Sequence, residues 1–359
     1  MVNVSVIIPV YNEIRFIQKT LESVVGDADE IILSDNASTD GTSDICQSFA
    51  NRYPEIKYTR HKENMGASKN FLYCVDQSSG KYIRNLGAHD IPSHGSTMAM
   101  FKEIEKCSNV SMVYPKYCIY LNSDDTFNSF AFNNFNECIL SESPFLRVKE
   151  LIGNITDFGI FYGVYKTDNL KSCLKICQVL PNIISDYAII AYMASVGKII
   201  AENKSVIYRY IPRAESGLEH LKHVAKQING DDKNVYLWNL ICTMELYNLA
   251  CNMQNTDRNT ENYAREIIEI ILHTHYDLNE ILDALNGVMP NLLSDKQCVK
   301  DELDNLINDI SRAKTKRNSV YNSFFNKGVK IIKYLLPFGL VRYIQKRRNI
   351  SRNCLESKM

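Results

Sequence analysis

Short apolar strands that alternate with helical segments constrain the fold of this chain more than any other feature. Residues 4–10 read Val-Ser-Val-Ile-Ile-Pro-Val, and shorter runs follow at 30–34, 56–60 and 82–86. Apolar runs rich in β-branched residues are typical of parallel strands buried on both faces. The segments between them carry apolar residues at helical spacing, and the first of these helices is expected to begin at a cap, Asn12. Repeated β-α-β units with short connections predict an α/β fold on a doubly wound, mostly parallel sheet.

The pattern changes after residue 216, which predicts a second region. A strand pair at 111–120 and a long irregular insertion at 121–145, rich in Asn, Ser and Phe, are expected before that point. Residues 218–312 then carry apolar positions at a period of 3.6 and almost no strand signal. We therefore expect one domain at 1–216, followed by a small α-helical domain at 217–311.

The last region, residues 312–359, is strongly basic. It contains 13 Lys and Arg against one Glu, a net charge of +12, although the whole chain has a net charge of zero. Aromatic and aliphatic residues lie between the basic ones, as in helices that lie in the plane of an anionic membrane. A helix docked on the protein and a nucleic-acid-binding tail are the alternatives, and the zero net charge argues against a general nucleic-acid binder. The sequence thus predicts a basic amphipathic tail that contacts an anionic membrane surface.

The cysteines and the start of the chain bear on its compartment. Eleven cysteines are scattered without a C-x-x-C pair, which favours reduced thiols over disulfides or a zinc site. No basic segment precedes the first apolar run, which Pro9 and Asn12 interrupt, and no stretch approaches the roughly 20 apolar residues of a membrane-spanning helix. We expect a cytoplasmic protein that is peripheral on the inner face of the cell membrane.

Polar residues follow three of the predicted strands at the point where each strand ends. They are Pro9–Glu13 after the first strand, Asp35–Asn36 after the second and Gly87–Asp90 after the fourth. Ligands of open α/β sheets bind at the carboxyl ends of the strands. Tyr11 could stack on a nucleobase, the aspartate after the second strand could accept a base N–H or ribose hydroxyls, and Asp90 could hold a divalent cation that bridges a diphosphate.

These clusters resemble the successive motifs of family-2 glycosyltransferases. The motifs are Val6–Asn12, Ile32–Thr42, Asn64–Gly66 and Leu86–Asp90, and the resemblance covers roughly residues 3–215. It implies a GT-A fold, a nucleotide-sugar donor, with a UDP-sugar favoured, and transfer with inversion at the anomeric carbon.

The resemblance also implies roles for individual residues. Tyr11 and Asp35 would contact the nucleobase, and Glu13 would lie beside the ribose. Asp90 would hold the divalent cation, Mn²⁺ or Mg²⁺. In the segment after the last strand, a basic residue could clamp the diphosphate. The full set of donor-binding candidates is Pro9, Tyr11, Asn12, Glu13, Asp35, Asn64, Lys69, His89, Arg209 and Arg213.

The cation motif departs from the family pattern. Where the family commonly has two or three acidic residues, this chain has Gly87, His89 and a single carboxylate, Asp90. Mg²⁺ prefers oxygen ligands and imidazole suits softer transition metals, so Mn²⁺ is less disfavoured than Mg²⁺, and the metal could be weak or dispensable. The pair Asp124-Asp125 is an alternative acidic site, although its context first indicates a turn.

The general base is expected in the second half of the domain. Inverting transfer needs a carboxylate that takes the proton from the acceptor hydroxyl. Asp186 opens an apolar helix and resembles the aspartate of the family's Glu-Asp motif, with Ser185 in place of the glutamate. A carboxylate that only serves the helix dipole is the alternative interpretation. Asp157 and Asp168 are the next candidates for the base.

These features predict a glycosyltransferase that adds a sugar to a hydroxyl of a glycan or lipid-linked acceptor. The context implied by the family is bacterial-type surface polysaccharide or lipopolysaccharide synthesis. An inactive sugar-nucleotide or glycan-binding protein is the alternative, suggested by His89. A nucleotidyltransferase is disfavoured because residues 9–15 lack a glycine-rich, arginine-containing loop. The sequence leaves open the sugar, the acceptor, the linkage and whether the protein is an oligomer.

Overall fold

A computed structural model describes residues 3–122, 127–132, 139–154, 158–176 and 185–211, together with six residues between 245 and 253. The predicted tail, most of the predicted helical domain, Arg213, Asp157 and the Asp124-Asp125 pair lie outside the described residues. The boundaries proposed at 216 and 311 therefore stay predictions.

A mixed sheet forms the centre of the described structure. Its order is β3-β2-β1-β4-β8-β6-β9-β5, and β7 lies beside β6. The first four strands are parallel to one another, β6 and β9 run in the same direction as these four, and β5, β7 and β8 run antiparallel to their neighbours. The α/β fold with a mostly parallel sheet is thus confirmed. The strands are β1 Val4–Val10, β2 Glu30–Asp35, β3 Ile56–Arg60, β4 Tyr82–Asn85, β5 Asp90–Pro92, β6 Val110–Asn122, β7 Phe127–Phe132, β8 Val164–Lys166 and β9 Lys198–Ile211.

Helices connect and cover the strands. Among the described residues, none of the helices combines the length and apolarity needed to cross a bilayer. One helix joins each of the first three strands to the next, as β-α-β units require. The helices are α1 Ile17–Val24, α2 Thr42–Arg52, α3 Ala67–Gln77, α4 Ser96–Lys106, α5 Pro144–Asn154, α6 Thr167–Ile176 and α7 Asp186–Val196, with a 3₁₀ helix at Phe158–Tyr162.

The apolar side chains of β1 and α1 form the centre of the larger core cluster. Ile8 of β1 and Ile17 and Leu21 of α1 have no exposed surface. A smaller cluster includes Met100 and Ile104 of α4. Because burial of apolar area is the main favourable term in folding, the near-continuous apolar strands are what hold the sheet between its helices.

The predicted cap of the first helix is wrong. Asn12 has φ of 54°, in the left-handed region, whereas an N-cap residue needs an extended backbone. Its Oδ1 accepts a hydrogen bond from the backbone N of Thr39 at 2.8 Å, so the side chain serves a neighbouring loop. The helix begins at Ile17, and Ile14, which precedes it, is 43% exposed.

The predicted strand pair at 111–120 and the irregular insertion at 121–145 also need correction. Residues 110–122 form one long strand, β6, and its antiparallel partner, β7, comes from the segment predicted as irregular. The helix α5 then begins at Pro144. Asn128 and Ala131 are residue types that are depleted in strands, so β7 has a weak local strand signal, which explains the error.

A buried carboxylate holds the amino ends of the strands together. Glu30 is 2% exposed, accepts hydrogen bonds from Ser5 and Lys57, and accepts two from Ser79, at 2.9 Å from N and 2.8 Å from Oγ. Burial alone would raise the pKa of Glu30, but the hydrogen bonds from Lys57, Ser5 and Ser79 outweigh it and lower the pKa. Ionised Glu30 thus joins β1, β2, β3 and the turn before β4.

We predict that Glu30→Gln lowers the free energy of unfolding at pH 7 by about 1–3 kcal/mol. The folded pKa of Glu30 lies below its ordinary value of 4.5, so its stabilisation is present above that pH and is lost as the pH falls through the folded pKa. The difference in unfolding free energy between wild type and variant should therefore shrink below pH 4.5. Urea unfolding across this pH range measures it, and a pH-independent difference would contradict the assignment.

Candidate active site

The predicted site residues gather where the carboxyl ends of the parallel strands meet. The loop after β1 contacts the loop after β4, since His89 Nδ1 lies 2.9 Å from Glu13 Oε1. Burial opposes the charge of His89, but the hydrogen bond to Glu13 and the charges of Asp90 and Glu13 outweigh it and raise the pKa of His89. Tyr11 is 44% exposed at the same edge, where its ring is open to a ligand.

Asp35 ends β2, but its carboxylate already has protein partners. Its side chain is fully buried, and Oδ1 accepts a hydrogen bond from Ser38 N at 2.8 Å. Its Oδ2 accepts from Ser43 Oγ at 2.5 Å and from Tyr58 OH at 3.0 Å, and Arg60 Nε lies 3.6 Å away. Burial would raise the pKa of Asp35, but the hydrogen bonds from Ser38, Ser43 and Tyr58 outweigh it and lower the pKa. A nucleobase could reach this carboxylate only if the loop after β2 moved.

Amide side chains join the loops at these strand ends. Asn36 donates from Nδ2 to Asn64 Oδ1 at 2.8 Å and accepts from Met65 N at 2.8 Å. Asn12 N donates to Ser38 Oγ at 3.0 Å. Asn12 and Asn64, predicted as donor contacts, therefore act in this structure as links between loops. Asn36 was not among the predicted site residues, although its position directly after Asp35 was a usable signal.

The remaining predicted contacts of the first half differ in accessibility. Lys69 lies in the first turn of α3 with its side chain exposed, where it is free to approach an anion. Pro9 instead lies within β1, opposite Ser34 of β2, and is a strand residue. Lys69 is therefore the more accessible of the two.

Asp90 is a buried carboxylate without a hydrogen bond. It has no exposed surface, and neither carboxylate oxygen has a hydrogen-bond partner among the described residues. A Cβ at Gly87 would lie 2.5 Å from Asp90 Oδ2, so the carboxylate occupies the space that a side chain at 87 would need. The glycine that departs from the family pattern is thus what makes room for Asp90.

Arg209 faces Asp90 from the neighbouring strand. The two residues are directly paired between β5 and β9, and Arg209 Nε lies 3.7 Å from Asp90 Oδ1. Its Nη2 donates to Tyr162 OH at 3.0 Å, and its guanidinium lies 4.7 Å from the centre of the Tyr162 ring and 5.6 Å from that of Tyr120. Burial would lower the pKa of Arg209, but the negative charges that Tyr162 and Asp90 can carry outweigh it and raise the pKa. The guanidinium is therefore a positive charge held beside the carboxylate. The expected position of Arg209, in a segment after the last strand, is wrong, because the residue lies within β9 and is held there by strand pairing. Its role as a diphosphate clamp stays a prediction.

The residues around Asp90 fit a divalent cation held by one protein carboxylate. The described residues contain no group of three His, Cys, Asp or Glu side chains arranged to hold a metal ion. Mg²⁺ and similar cations commonly bind through one or two carboxylates, with substrate phosphates and water completing the shell. The two oxygens of Asp90 make no hydrogen bond among the described residues and could supply that one carboxylate, although Arg209 already faces Oδ1 at 3.7 Å.

Asp186 opens α7, as predicted. Ser185 is its N-cap and accepts a hydrogen bond from Ala188 N at 3.1 Å through Oγ. Burial, followed by the charge of Asp90 and the approach of that carboxylate to the Tyr162 hydroxyl, raises the pKa of Tyr162, and the charge of Asp186 contributes least. Tyr162, which sequence analysis missed, therefore belongs to the surroundings of Asp90. Asp168, the other described candidate for the base, lies exposed in the first turn of α6.

Comparison with known proteins gives an independent result. Residues 5–137 match the model of glycosyl transferase family 2. The chain is 36% identical to abequosyltransferase RfbV of Salmonella typhimurium over 93 aligned residues. These residues cover 24% of this chain and 28% of that protein. The chain is 30% identical over 97 residues to the minor teichoic acid biosynthesis protein GgaB of Bacillus subtilis, 26% of this chain and 11% of that protein. The chain thus spans less than a third of the length of either relative.

Among solved structures, residues 1–349 of TarS from S. aureus in complex with UDP-GlcNAc match with a TM-score of 0.44 at 16% identity. The match covers 89% of this chain and 92% of that one. The family match begins in β1 and includes every strand-end loop described above. On that evidence, residues 5–137 form a region of the glycosyl transferase family 2 type.

Proposed function

We propose that this protein transfers a sugar from a nucleotide-sugar donor, with a UDP-sugar favoured, to a hydroxyl of a glycan or lipid-linked acceptor, with inversion. The observation that carries the proposal is the pair formed by Asp90 and Arg209 at the strand ends, a carboxylate with unused oxygens 3.7 Å from a fixed guanidinium. A diphosphate with a divalent cation complements such a pair, since the cation suits the carboxylate and the phosphate suits the guanidinium.

Donor binding would use both halves of the site. The exposed ring of Tyr11 offers a stacking surface for the base, and Lys69 and Arg209 offer positive charge for the phosphates. A cation held by Asp90 would neutralise charge on the diphosphate as it leaves. Arg209 adds a positive charge that Tyr162 and Tyr120 hold in place, so little reorganisation is needed when charge develops.

The transfer step would be a single displacement. Asp186 takes the proton from the acceptor hydroxyl while the acceptor oxygen forms its bond to the anomeric carbon. The bond from that carbon to the diphosphate oxygen breaks, and its electron pair leaves with the nucleoside diphosphate. Attack opposite the leaving group inverts the anomeric configuration.

The proposed context is synthesis of a surface polysaccharide or lipopolysaccharide. The name of the relative GgaB, which refers to teichoic acid biosynthesis, supports a surface polymer as the acceptor. A protein that binds a nucleotide sugar without turnover is a second candidate, because His89 stands where a second carboxylate is common and its Nδ1 faces Glu13.

The first prediction concerns donor and cation. In a thermal-shift panel of UDP-, GDP-, dTDP- and CMP-sugars, we expect the largest stabilisation from a UDP-sugar, increased by Mn²⁺ at least as much as by Mg²⁺. Asp90→Asn should abolish the additional stabilisation that the cation gives, because the change removes the anionic ligand of the cation. The melting temperature without ligand controls for folding, since the change also leaves Arg209 uncompensated. Equal stabilisation of the wild type in excess chelator would exclude a bound cation.

The second prediction concerns the base and separates the two candidate functions. Asp186→Asn should bind UDP as the wild type does and lose transfer by roughly 10²–10⁴-fold, the usual size of a general-base contribution. Asp168→Asn is the control variant, because Asp168, like Asp186, is a carboxylate in the first turn of a helix.

Sugar transfer and UDP release report turnover in these variants, and calorimetry with UDP reports binding. An active Asp186→Asn enzyme would reject Asp186 as the base. Wild-type protein that binds UDP-sugars but neither hydrolyses nor transfers them would favour the binding-protein alternative.

The third prediction concerns the basic tail, whose membrane role rests on sequence alone. We expect full-length protein to bind vesicles that contain anionic lipid, and binding to weaken as salt screens the charges. Each basic side chain near an anionic surface contributes about 1 kcal/mol, so reversing Lys346, Arg347 and Arg348 to Glu should weaken partitioning by at least 100-fold. Sedimentation with phosphatidylserine vesicles measures it.

The matched control reverses three basic residues that the structure shows to be exposed, Arg52, Lys102 and Lys175. This variant has the same net charge as the tail variant and should still sediment with the vesicles. Equal loss in both variants would mean that net charge, and not the tail, drives binding. Wild-type protein that ignores anionic vesicles at low salt would reject the membrane proposal.

A further inference from the structure

A buried glutamate from the distant C-terminal part of the chain contacts the turn that carries Asp186. Glu245 is 1% exposed, and its Oε2 accepts a hydrogen bond from Ser185 N at 3.1 Å across 60 residues of sequence. The residue is helical, and four of the five other described residues of this region are buried, among them Leu246 and Ala250, both with no exposed surface. The carboxylate is therefore held in the protein interior and does not reach the turn by chance fluctuation of a surface side chain.

The contact supplies the second hydrogen bond of a helix cap, for which the local sequence supplies only the first. In a capping box, the side chain of the N-cap residue accepts from the backbone N of the third helical residue, whose own Glu or Gln accepts from the backbone N of the N-cap. Ser185 makes the first of these bonds with Ala188. Alanine cannot make the second, and Glu245 supplies the missing acceptor from elsewhere in the chain.

Both bonds hold Ser185 immediately before Asp186. Ser185 has φ of −92° and ψ of 129°, the extended backbone that lets α7 begin at the next residue. The bond to Glu245 holds the peptide before Ser185, and the carbonyl of Ser185, in the peptide that joins it to Asp186, accepts from Ile189 N at 3.3 Å. With its N–H, hydroxyl and carbonyl all bonded, the backbone of Ser185 has little freedom to rotate. The direction in which Asp186 leaves the backbone is set by the peptide that joins it to Ser185.

We propose that Glu245 is a positioning residue for Asp186, so that the C-terminal part of the chain controls the transfer step without contacting the substrate. This inference rests on the proposed function, in which Asp186 is the base. A base must be held to within about 0.5 Å of its productive position, and a displacement of about 1 Å can lower the rate by about 100-fold. It also gives the Ser185 in this chain a role, since the serine caps the helix where the family has a glutamate.

The structure offers a matched control for a merely structural role. Asp27 is 2% exposed and accepts from Thr97 N at 2.9 Å and Met98 N at 3.2 Å, at the start of α4. It is also a buried carboxylate at a helix start, but α4 carries none of the proposed catalytic groups. Replacing either carboxylate should lower the melting temperature, and only the loss of Glu245 should lower kcat.

The test compares Glu245→Met, Glu245→Gln and Asp27→Leu with wild type, using UDP-glucose turnover, or the nucleotide sugar that the panel selects, and UDP binding by calorimetry. Glu245→Met keeps the volume and removes the acceptor, and we expect kcat to fall by about 10- to 100-fold while the Kd for UDP stays within about twofold. Glu245→Gln keeps an acceptor oxygen and should restore most of kcat. If Glu245→Met does not fold, Glu245→Asp replaces it in the test. The aspartate side chain is shorter by one methylene, so its oxygen is withdrawn from Ser185 N.

The outcomes distinguish this inference from the proposed function. A folded Glu245→Met variant with kcat within about twofold of wild type overturns the inference. The inference is also overturned if Asp27→Leu lowers kcat as much as Glu245→Met does, or if kcat of Glu245→Gln is as low as that of Glu245→Met. Asp186→Asn, assayed beside them, tests the proposed function: full activity in that variant rejects the base itself, whereas loss in Asp186→Asn with no loss in Glu245→Met rejects only the positioning role.

Discussion

The antiparallel pairing of β5 with β9 is the constraint on which the candidate active site depends. It sets Asp90 directly opposite Arg209, where a carboxylate that makes no hydrogen bond within the described part of the chain lies 3.7 Å from a guanidinium in the interior. A buried charge pair of this kind is weak evidence for stability, because desolvation opposes the attraction. A site for an anion and a cation together is the role that we propose for the pair. Gly87 contributes by leaving space for the carboxylate.

The parallel half of the sheet supplies a rigid frame for that pair. Three loops meet at its carboxyl edge, and backbone and amide groups such as Asn12 and Asn36 bond them to one another. Asp35 belongs to this frame, since its carboxylate is saturated by protein donors. Tyr11 and Lys69 are exposed at this edge, where they can meet a ligand. Structural and ligand-facing roles are thus divided among residues of the same motifs.

The second half of the described structure surrounds Asp90 and Arg209 with buried tyrosines. The 3₁₀ helix and β8 carry Tyr162 and Tyr165, and burial raises the pKa values of both. Tyr162 accepts a hydrogen bond from Arg209 and so helps to hold the proposed phosphate clamp in place. Glu245 adds a contact from a third part of the chain. The cap of α7 is therefore assembled from residues 60 positions apart, which local sequence rules cannot detect.

The sequence by itself determined the α/β class, the order of the first four strands and helices, and the carboxylates at the strand ends. These follow from periodicity and from short motifs, which depend on residues close together in the chain. Only the tertiary structure decided that Asn12 bonds a neighbouring loop, that residues 127–132 form a strand, and that Asp35 is saturated. It likewise decided that Asp90 meets Arg209 and that Glu245 meets Ser185. Each of these outcomes depends on strand register or on packing between distant segments, and neither leaves a periodic signal in the sequence.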